Sequence, residues 1–387
     1  MSKRAGTFAT GLVLLLASAH FLHDVFTAFL APLLPLIIDK LGLTLFQAST
    51  LAVLTQVPSF FNPFLGSFVD RSQLHRLFVA IGPGGSGTLM CLMGLAPSYG
   101  VLAVILLTAG LSVSTLHVSA PVLIHQVSGG NVGRGMSLFM VAGELARTVG
   151  PLIAVQLVSW YGLEGLWRLI PLALASSLLL WWKLGRVEIE RPKKPPLHLF
   201  GVWSSMRRIL IGITGILIAR AFMAGALTTF LPTFLYGEGQ SLWRANISLS
   251  LLELAGAAGA LTSGTLSDYV GRRRVLAISV AASPPLMLLF LQTEGVAQLA
   301  VLALLGITML STAPVIMAVV LENAGDNPAA ANGTYFMIGF AARALILLVV
   351  GALGDSIGLR AAYYWCAGFA MLGLPFVLLL PKSRSGR

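Results

Sequence analysis

Charge is what this sequence has least of. Only 10% of its 387 residues are Asp, Glu, Lys or Arg, against about 25% in soluble domains. The shortage is greatest among the acids, with 14 carboxylates facing 25 lysines and arginines. A chain that is 57% hydrophobic, with a mean hydropathy of +0.88, cannot cover itself with a polar surface, which excludes a soluble globular or disordered protein. Cysteine is almost missing: Cys91 and Cys366 lie in separate apolar stretches, which leaves no disulfide framework and no Cys-based metal pair. No Walker loop, zinc-protease helix or nucleophile elbow occurs, so no enzyme activity and no cofactor or resident metal is expected. The glycine-rich run 82–87 lies within an apolar segment and reads as helix packing.

What is present is length of apolar run. A membrane span needs about 20 residues, and the chain divides into twelve such segments: 8–38, 45–69, 77–95, 100–124, 135–160, 166–184, 209–236, 242–266, 275–291, 296–320, 333–353 and 361–380. The first nineteen residues resemble a secretory leader, but the apolar run continues past His20, so they are read as part of the first span. Residues 186–208 are polar, basic and broken by Pro192, Pro195 and Pro196. They read as a linker between an N-terminal bundle, residues 1–185, and a C-terminal bundle, residues 209–387. The expected fold is an all-α membrane protein of twelve transmembrane helices in two pseudo-symmetric six-helix bundles.

The net charge of +11 does not point to nucleic acid. In a twelve-span arrangement Arg71, Arg134, Arg186, Lys193, Arg207 and Arg272 share one side with most of the other basic residues, while Lys40, Arg168, Arg244 and Arg360 occupy the other. The positive-inside rule then places both termini in the cytoplasm, with short loops that suit a bacterial inner (plasma) membrane.

The informative residues are the few ionisable ones inside spans, where a charge costs about 2.5–3.5 kcal/mol on insertion scales. His20, His23 and Asp24 fall on one side of the first span, with Thr27. His117 lies in the fourth span. Glu144 and Arg147 stand three apart in the fifth, where they can meet as an ion pair. Arg220, Glu253 and Arg343 occupy the seventh, eighth and eleventh spans. Such residues face a protein interior or a watery path. Asp24, Glu144, Glu253 and His20 are the candidate proton carriers; His23, His117, Arg147, Arg220 and Arg343 are the candidate substrate contacts. The arginine fork suits phosphate, phosphonate or carboxylate. Imidazole and carboxylate also suit Zn or Fe(II), so His20, His23, Asp24 and His117 leave open a divalent-metal exporter. A membrane sensor or scaffold without transport is the third possibility.

The two halves repeat. An offset of 197 places Pro35 on Pro232, His23 on Arg220 and Gln56 on Glu253, and one insertion later Gly66 falls on Gly264 and Asp70 on Asp268. Transporters built from parallel repeats bind substrate near the midplane between the halves.

The loop Gly264-Thr-Leu-Ser-Asp268-Tyr-Val-Gly271-Arg272-Arg273-Arg274 resembles the signature of the major facilitator superfamily. The first-half copy keeps Gly66 and Asp70-Arg71 but has Gln73 where the signature has Gly. The resemblance implies that Gly66, Asp70, Arg71, Gly264, Asp268, Gly271, Arg272 and Arg273 form gating latches. Within the superfamily, Ser18-Ala-His20 with Asp24, Pro32-Leu-Leu-Pro35, His117-Val-Ser-Ala-Pro121, Ser128-Gly-Gly130 and Gly150-Pro151 resemble the fosmidomycin-resistance-like efflux proteins. Glu144 and Arg147 depart from that pattern. The resemblance implies lining of a central cavity by the first, fourth and seventh spans. The His23–Arg220 correspondence is similar to the anion clamp of organophosphate antiporters in the same superfamily, where both positions are Arg. The implied activity is proton-coupled efflux, by antiport and alternating access, of a small anionic organic compound or drug. The expected partners are that substrate, protons and the bilayer, with no nucleic acid and a monomeric chain.

Overall fold

A computed structural model describes residues 8–185, 199–324 and 328–381, and within them the side chains other than those of residues 63, 70, 199–205 and 328–330. The first half contains α1 (Thr10–Thr27), α2 (Leu30–Leu41), α3 (Leu45–Leu54), α4 (Val57–Phe60), α5 (Asn62–Ser72), α6 (His75–Leu92), α7 (Tyr99–Val127), α8 (Val132–Tyr161) and α9 (Ile170–Leu184). The second contains α10 (Leu199–Gly237), α11 (Leu242–Val270), α12 (Arg272–Phe290), α13 (Gly295–Leu310), α14 (Thr312–Glu322), α15 (Pro328–Ile357), α16 (Leu359–Met371) and α17 (Leu374–Val377). There is no strand among the described residues. Ten helical runs are long and apolar enough to cross a membrane. The remaining two expected spans are cut into shorter pieces, α3 to α5 and α16 with α17. This is the twelve-helix architecture expected from the sequence.

The cuts have a common cause. A proline lacks the N–H that would bond the carbonyl four residues back, and its ring crowds that carbonyl. Counting back four from Pro32, Pro58, Pro314 and Pro375 gives Ala28, Leu54, Leu310 and Met371, at or next to the ends of α1, α3, α13 and α16. The first span is therefore two helices, α1 and α2. The seventh departs in the other direction: α10 begins at Leu199, well before Ile209, so the end of the expected linker is helical. Residues 186–198 lie outside the described residues.

The chain forms two compact units: Met1–Leu43 with Leu54–Lys194, and Thr44–Val53 with Pro195–Arg387. In the first, Val13, Leu16, Val79, Leu116, Leu123, Phe139 and Leu180 form the interior. In the second the corresponding cluster includes Leu210, Ile213, Leu276, Val315, Ile316 and Tyr335. Unit 2 also takes in α3, whose first turn is capped by Asp355: the backbone N–H of Leu45 donates to Oδ1 at 2.6 Å and that of Phe46 to Oδ2 at 2.8 Å. A carboxylate there satisfies orphan donors at the positive end of the helix. α11 and α13 touch backbone to backbone, since a Cβ on Gly259 would stand 2.6 Å from the Ile307 carbonyl oxygen and one on Gly306 2.3 Å from that of Leu252. Large apolar side chains such as Leu178, Trp182, Leu261 and Ile278 point outward, the surface that lipid rather than water favours.

Candidate functional site

The ionisable cluster of unit 1 is assembled from four helices. α1 carries His20, His23 and Asp24, all buried. α7 brings His117, α8 brings Phe139 and Gly143, and α6 brings Ser86. His20 and Asp24 are one turn apart, and His20 Nε2 lies 3.3 Å from Asp24 Oδ2. From α7, His117 Nε2 reaches to 3.6 Å from the other carboxylate oxygen. The His20 ring stacks on Phe139 at 3.9 Å between centroids, and the His23 and His117 rings are 5.4 Å apart. α8 passes close because residue 143 is glycine: a Cβ there would stand 2.6 Å from His20 Cε1 and 3.1 Å from Asp24 Oδ2.

Hydrogen-bond directions fix the imidazole protons. His20 Nδ1 is 2.8 Å from the Phe139 carbonyl oxygen, which only accepts, so Nδ1 carries hydrogen. His117 Nδ1 likewise faces the Val113 carbonyl at 3.0 Å. Ser86 Oγ lies 2.9 Å from the Gly82 carbonyl oxygen and 2.8 Å from His23 Nδ1. His20 and His117 therefore have Nδ1–H engaged and Nε2 as the remaining function. In the neutral rings of His20 and His117, the Nε2 lone pair would point at an ionised Asp24. That arrangement is repulsive until a proton, or another cation, enters it. His20 Nε2, His23 Nε2 and Asp24 Oδ1 have no aligned hydrogen-bond partner among the described residues. The ligand atoms of His20, Asp24 and His117 lie within 4.8 Å of one another.

His117 is the exposed member, with 37% of its side chain accessible against 6% for Asp24. Beside it Glu144 and Arg147 form the ion pair expected from their spacing, and Arg147 is within electrostatic reach of His117. Unit 1 thus has a buried carboxylate with two imidazoles on it, one of them exposed, and a guanidinium beside the exposed one.

The other candidates lie in unit 2. Arg220 Nε donates to the Met309 carbonyl at 3.0 Å, beside Ser279, Ser283 and Thr312, with Tyr335 and Glu253 as the groups acting on its charge. Arg343 donates to Thr228 Oγ1 at 3.2 Å. His23 and Arg220, paired by the repeat, are each engaged within their own unit.

The signature loop closes on Arg272. Its guanidinium meets Asp268 Oδ1 at 2.5 Å and Glu322 Oε1 at 2.9 Å, and also bonds Ser267 Oγ and the Gly264 carbonyl. Gly271, at φ 101°, makes the turn. Arg273 points elsewhere and borders a separate cavity. In the first-half copy Gly66 packs against Val118, Arg71 is exposed, and the Asp70 side chain lies outside the described residues. Sequence reading missed Ser86, the Phe139 carbonyl, Thr228 and Glu322. Of these, Ser86 had a signal, a hydroxyl one turn beyond Gly82 in the glycine-rich run.

The profile of the Major Facilitator Superfamily matches residues 16–345 and, again, 244–387. Over 392 residues the chain is 23% identical to the fosmidomycin resistance protein of Escherichia coli K12, an alignment covering 97% of this chain and 93% of the relative. It is 23% identical over 381 residues to the multidrug resistance protein MdtG of Yersinia enterocolitica, covering 89% and 90%. A crystal structure of a bacterial homologue of the human lysosomal transporter Spinster superposes with a TM-score of 0.80 at 14% identity, covering 98% of this chain and 97% of that one.

Proposed function

The chain belongs to the Major Facilitator Superfamily, and on that premise we propose that it exports a small anionic organic compound in exchange for protons, by alternating access. The observation that carries this reading is Asp24, buried between two imidazoles whose Nε2 atoms stand 3.3 and 3.6 Å away and whose Nδ1–H groups are already committed. A proton entering through His117 settles between these groups and removes the lone-pair–anion repulsion. Glu144 supports the exchange from the exit: it holds Arg147 as an ion pair until a substrate anion displaces it. Glu253 is the corresponding acid in unit 2, beside Arg220, and Arg343 is a further substrate contact. The relatives named for fosmidomycin and multidrug resistance favour efflux.

Electrostatics alone would make a proton and an anion attract each other. Antiport therefore needs mutual exclusion, and the site offers it: a proton that holds His117 on Asp24 withdraws that imidazole from a substrate seated on His117 and Arg147. The test is equilibrium binding of a panel of phosphonates, carboxylates and organic cations to the purified protein at pH 6 and pH 8. The proposal expects anions to bind, more weakly at pH 6, with the pH dependence lost in Asp24→Asn. Tighter anion binding at pH 6, or a panel in which only cations bind, would contradict it. The orientation belongs to the same proposal, with both termini in the cytoplasm of a bacterial cell: an impermeant maleimide should label Gln292→Cys but not Ser72→Cys in intact cells, and the reverse pattern would invert the topology.

A second reading has its own observation. Two Nε2 lone pairs and a carboxylate, with each Nδ1–H tied to a backbone carbonyl, also form a donor set for Zn or Fe(II) as cargo. Zinc-dependent thermal stabilisation that disappears in His117→Ala would favour it, and its absence would dismiss it.

A further inference from the structure

Unit 2 contains a cavity of about 430 Å³ unconnected with the ionisable cluster, within the size range of small-molecule sites, about 300–1,000 Å³. It lies between Met206 and Ile209 of α10, the first turn of α12 and the segment after α17. Two guanidiniums, Arg208 and Arg273, border it, and Met206, Ile209, Leu379 and Leu380 supply apolar wall. The contrast with the adjacent residue is informative. Arg272 is saturated by Asp268, Glu322, Ser267 and the Gly264 carbonyl. Arg273 and Arg208 have neither an ion pair nor a hydrogen bond among the described residues. Two arginines that no acid among the described residues neutralises make the cavity attractive to an anion. The apolar walls beside the two arginines, at the start of the span Arg272–Phe290, suit an anion that carries hydrocarbon with it.

We propose that this cavity binds the headgroup phosphate of an anionic membrane phospholipid. Arg208 and Arg273 hold the phosphodiester from two helices, and the upper acyl chain lies along Ile209 and Leu379. The charge placement agrees: these arginines belong to the basic side of the chain, which faces the anionic cytoplasmic leaflet in the proposed orientation, and basic pockets between transmembrane helices on that side suit anionic headgroups. An inorganic anion would meet the guanidiniums but leave the apolar wall bare. The lipid satisfies both, and Arg208, Leu378 and Pro381 are exposed at the mouth, where it would enter.

The test uses the full chain in a neutral detergent, titrated with phosphatidylglycerol, phosphatidylcholine or inorganic phosphate and read by native mass spectrometry and thermal shift. Phosphatidylglycerol should remain bound and raise the melting temperature, while phosphatidylcholine and phosphate do neither. The double variant Arg208→Gln/Arg273→Gln should bind phosphatidylglycerol roughly thirtyfold more weakly. Arg208→Lys/Arg273→Lys should retain most of the binding, and Arg274→Gln, on the exposed neighbour outside the cavity, all of it. If the double glutamine variant fails to fold, Arg208→Gln alone carries the test, with a loss of about fivefold. Equal retention of phosphatidylcholine, an equal loss in Arg274→Gln, an unchanged affinity in the glutamine variants, or a shift by phosphate as large as that by the lipid would each overturn the proposal.

Discussion

A hydrogen on one ring nitrogen decides what the other can do. In His20 and His117 a backbone carbonyl takes up Nδ1–H, so Nε2, turned on Asp24, is the nitrogen left to gain or lose a proton. The proposed coupling rests on this contact between the two Nε2 atoms and the carboxylate. The arrangement depends on residue 143 having no side chain. Gly143→Ala would put a methyl group 2.6 Å from His20 Cε1, and overpacking of this kind costs about 1–3 kcal/mol. The expected result is a lowered melting temperature together with an altered pH profile of transport, because His20 must swing away from Asp24. A variant that loses stability but keeps the wild-type pH profile would show that the His20–Asp24 contact plays no part in coupling. In unit 2, Glu238 receives the Arg360 guanidinium at 3.2 and 2.7 Å, which holds its carboxyl below the usual glutamate range. A depressed carboxylate stabilises the fold above the unfolded pKa, about 4.3, and that stability is lost as pH falls through the lower folded value. The pair is largely solvent-exposed, so it contributes less than about 1 kcal/mol. Thermal melts should therefore separate wild type from Glu238→Gln at pH 6 and bring them together towards pH 3; a gap that widens in acid would reverse the sign of this argument.

At the scale of the helix, two turns that the repeat makes equivalent solve one problem differently. Gly271 turns the chain at φ 101°, while Gln73 sits at φ 57°, alone among the described non-glycine residues in the left-handed region. That conformation costs an L-residue roughly 1–2 kcal/mol, part of which glycine returns through greater freedom when unfolded. Gln73→Gly should raise stability by up to about 1 kcal/mol and Gly271→Ala should lower it by at least as much, both read from melting curves. Equal signs would mean that the two loops are not equivalent. The turn at Gln73 was legible as a departure from the glycine signature. The helix breaks at Ala28, Leu54, Leu310 and Met371 were legible too, four residues before a proline in each case, yet hydropathy alone joins each pair of pieces into one span. Pro121 and Pro151 show why the proline rule is not sufficient: they remain inside α7 and α8, so packing decides which prolines break a helix. The residues of the cluster could be named from sequence because α1 places His20 and Asp24 one turn apart. Ser86, Phe139 and Thr228 could not, since their contribution is a hydroxyl or carbonyl brought from another helix, and hydroxyls and carbonyls are everywhere in the chain.

On the scale of the whole molecule, the scarcity of charge and its uneven placement have one consequence. The chain is a membrane transporter of the major facilitator fold whose few ionisable interior groups are clustered: an acid with three imidazoles in unit 1, an arginine beside an acid in unit 2, and Arg272 tied to Asp268 and Glu322. The central claim is that the Asp24 centre couples substrate movement to protons. Its most direct measurement is transport by the reconstituted protein in proteoliposomes with an imposed pH gradient, comparing wild type with Asp24→Asn. The account predicts that the variant still exchanges substrate down its own gradient but no longer accumulates it uphill at the expense of the proton gradient. Uphill transport by Asp24→Asn at the wild-type rate would contradict it.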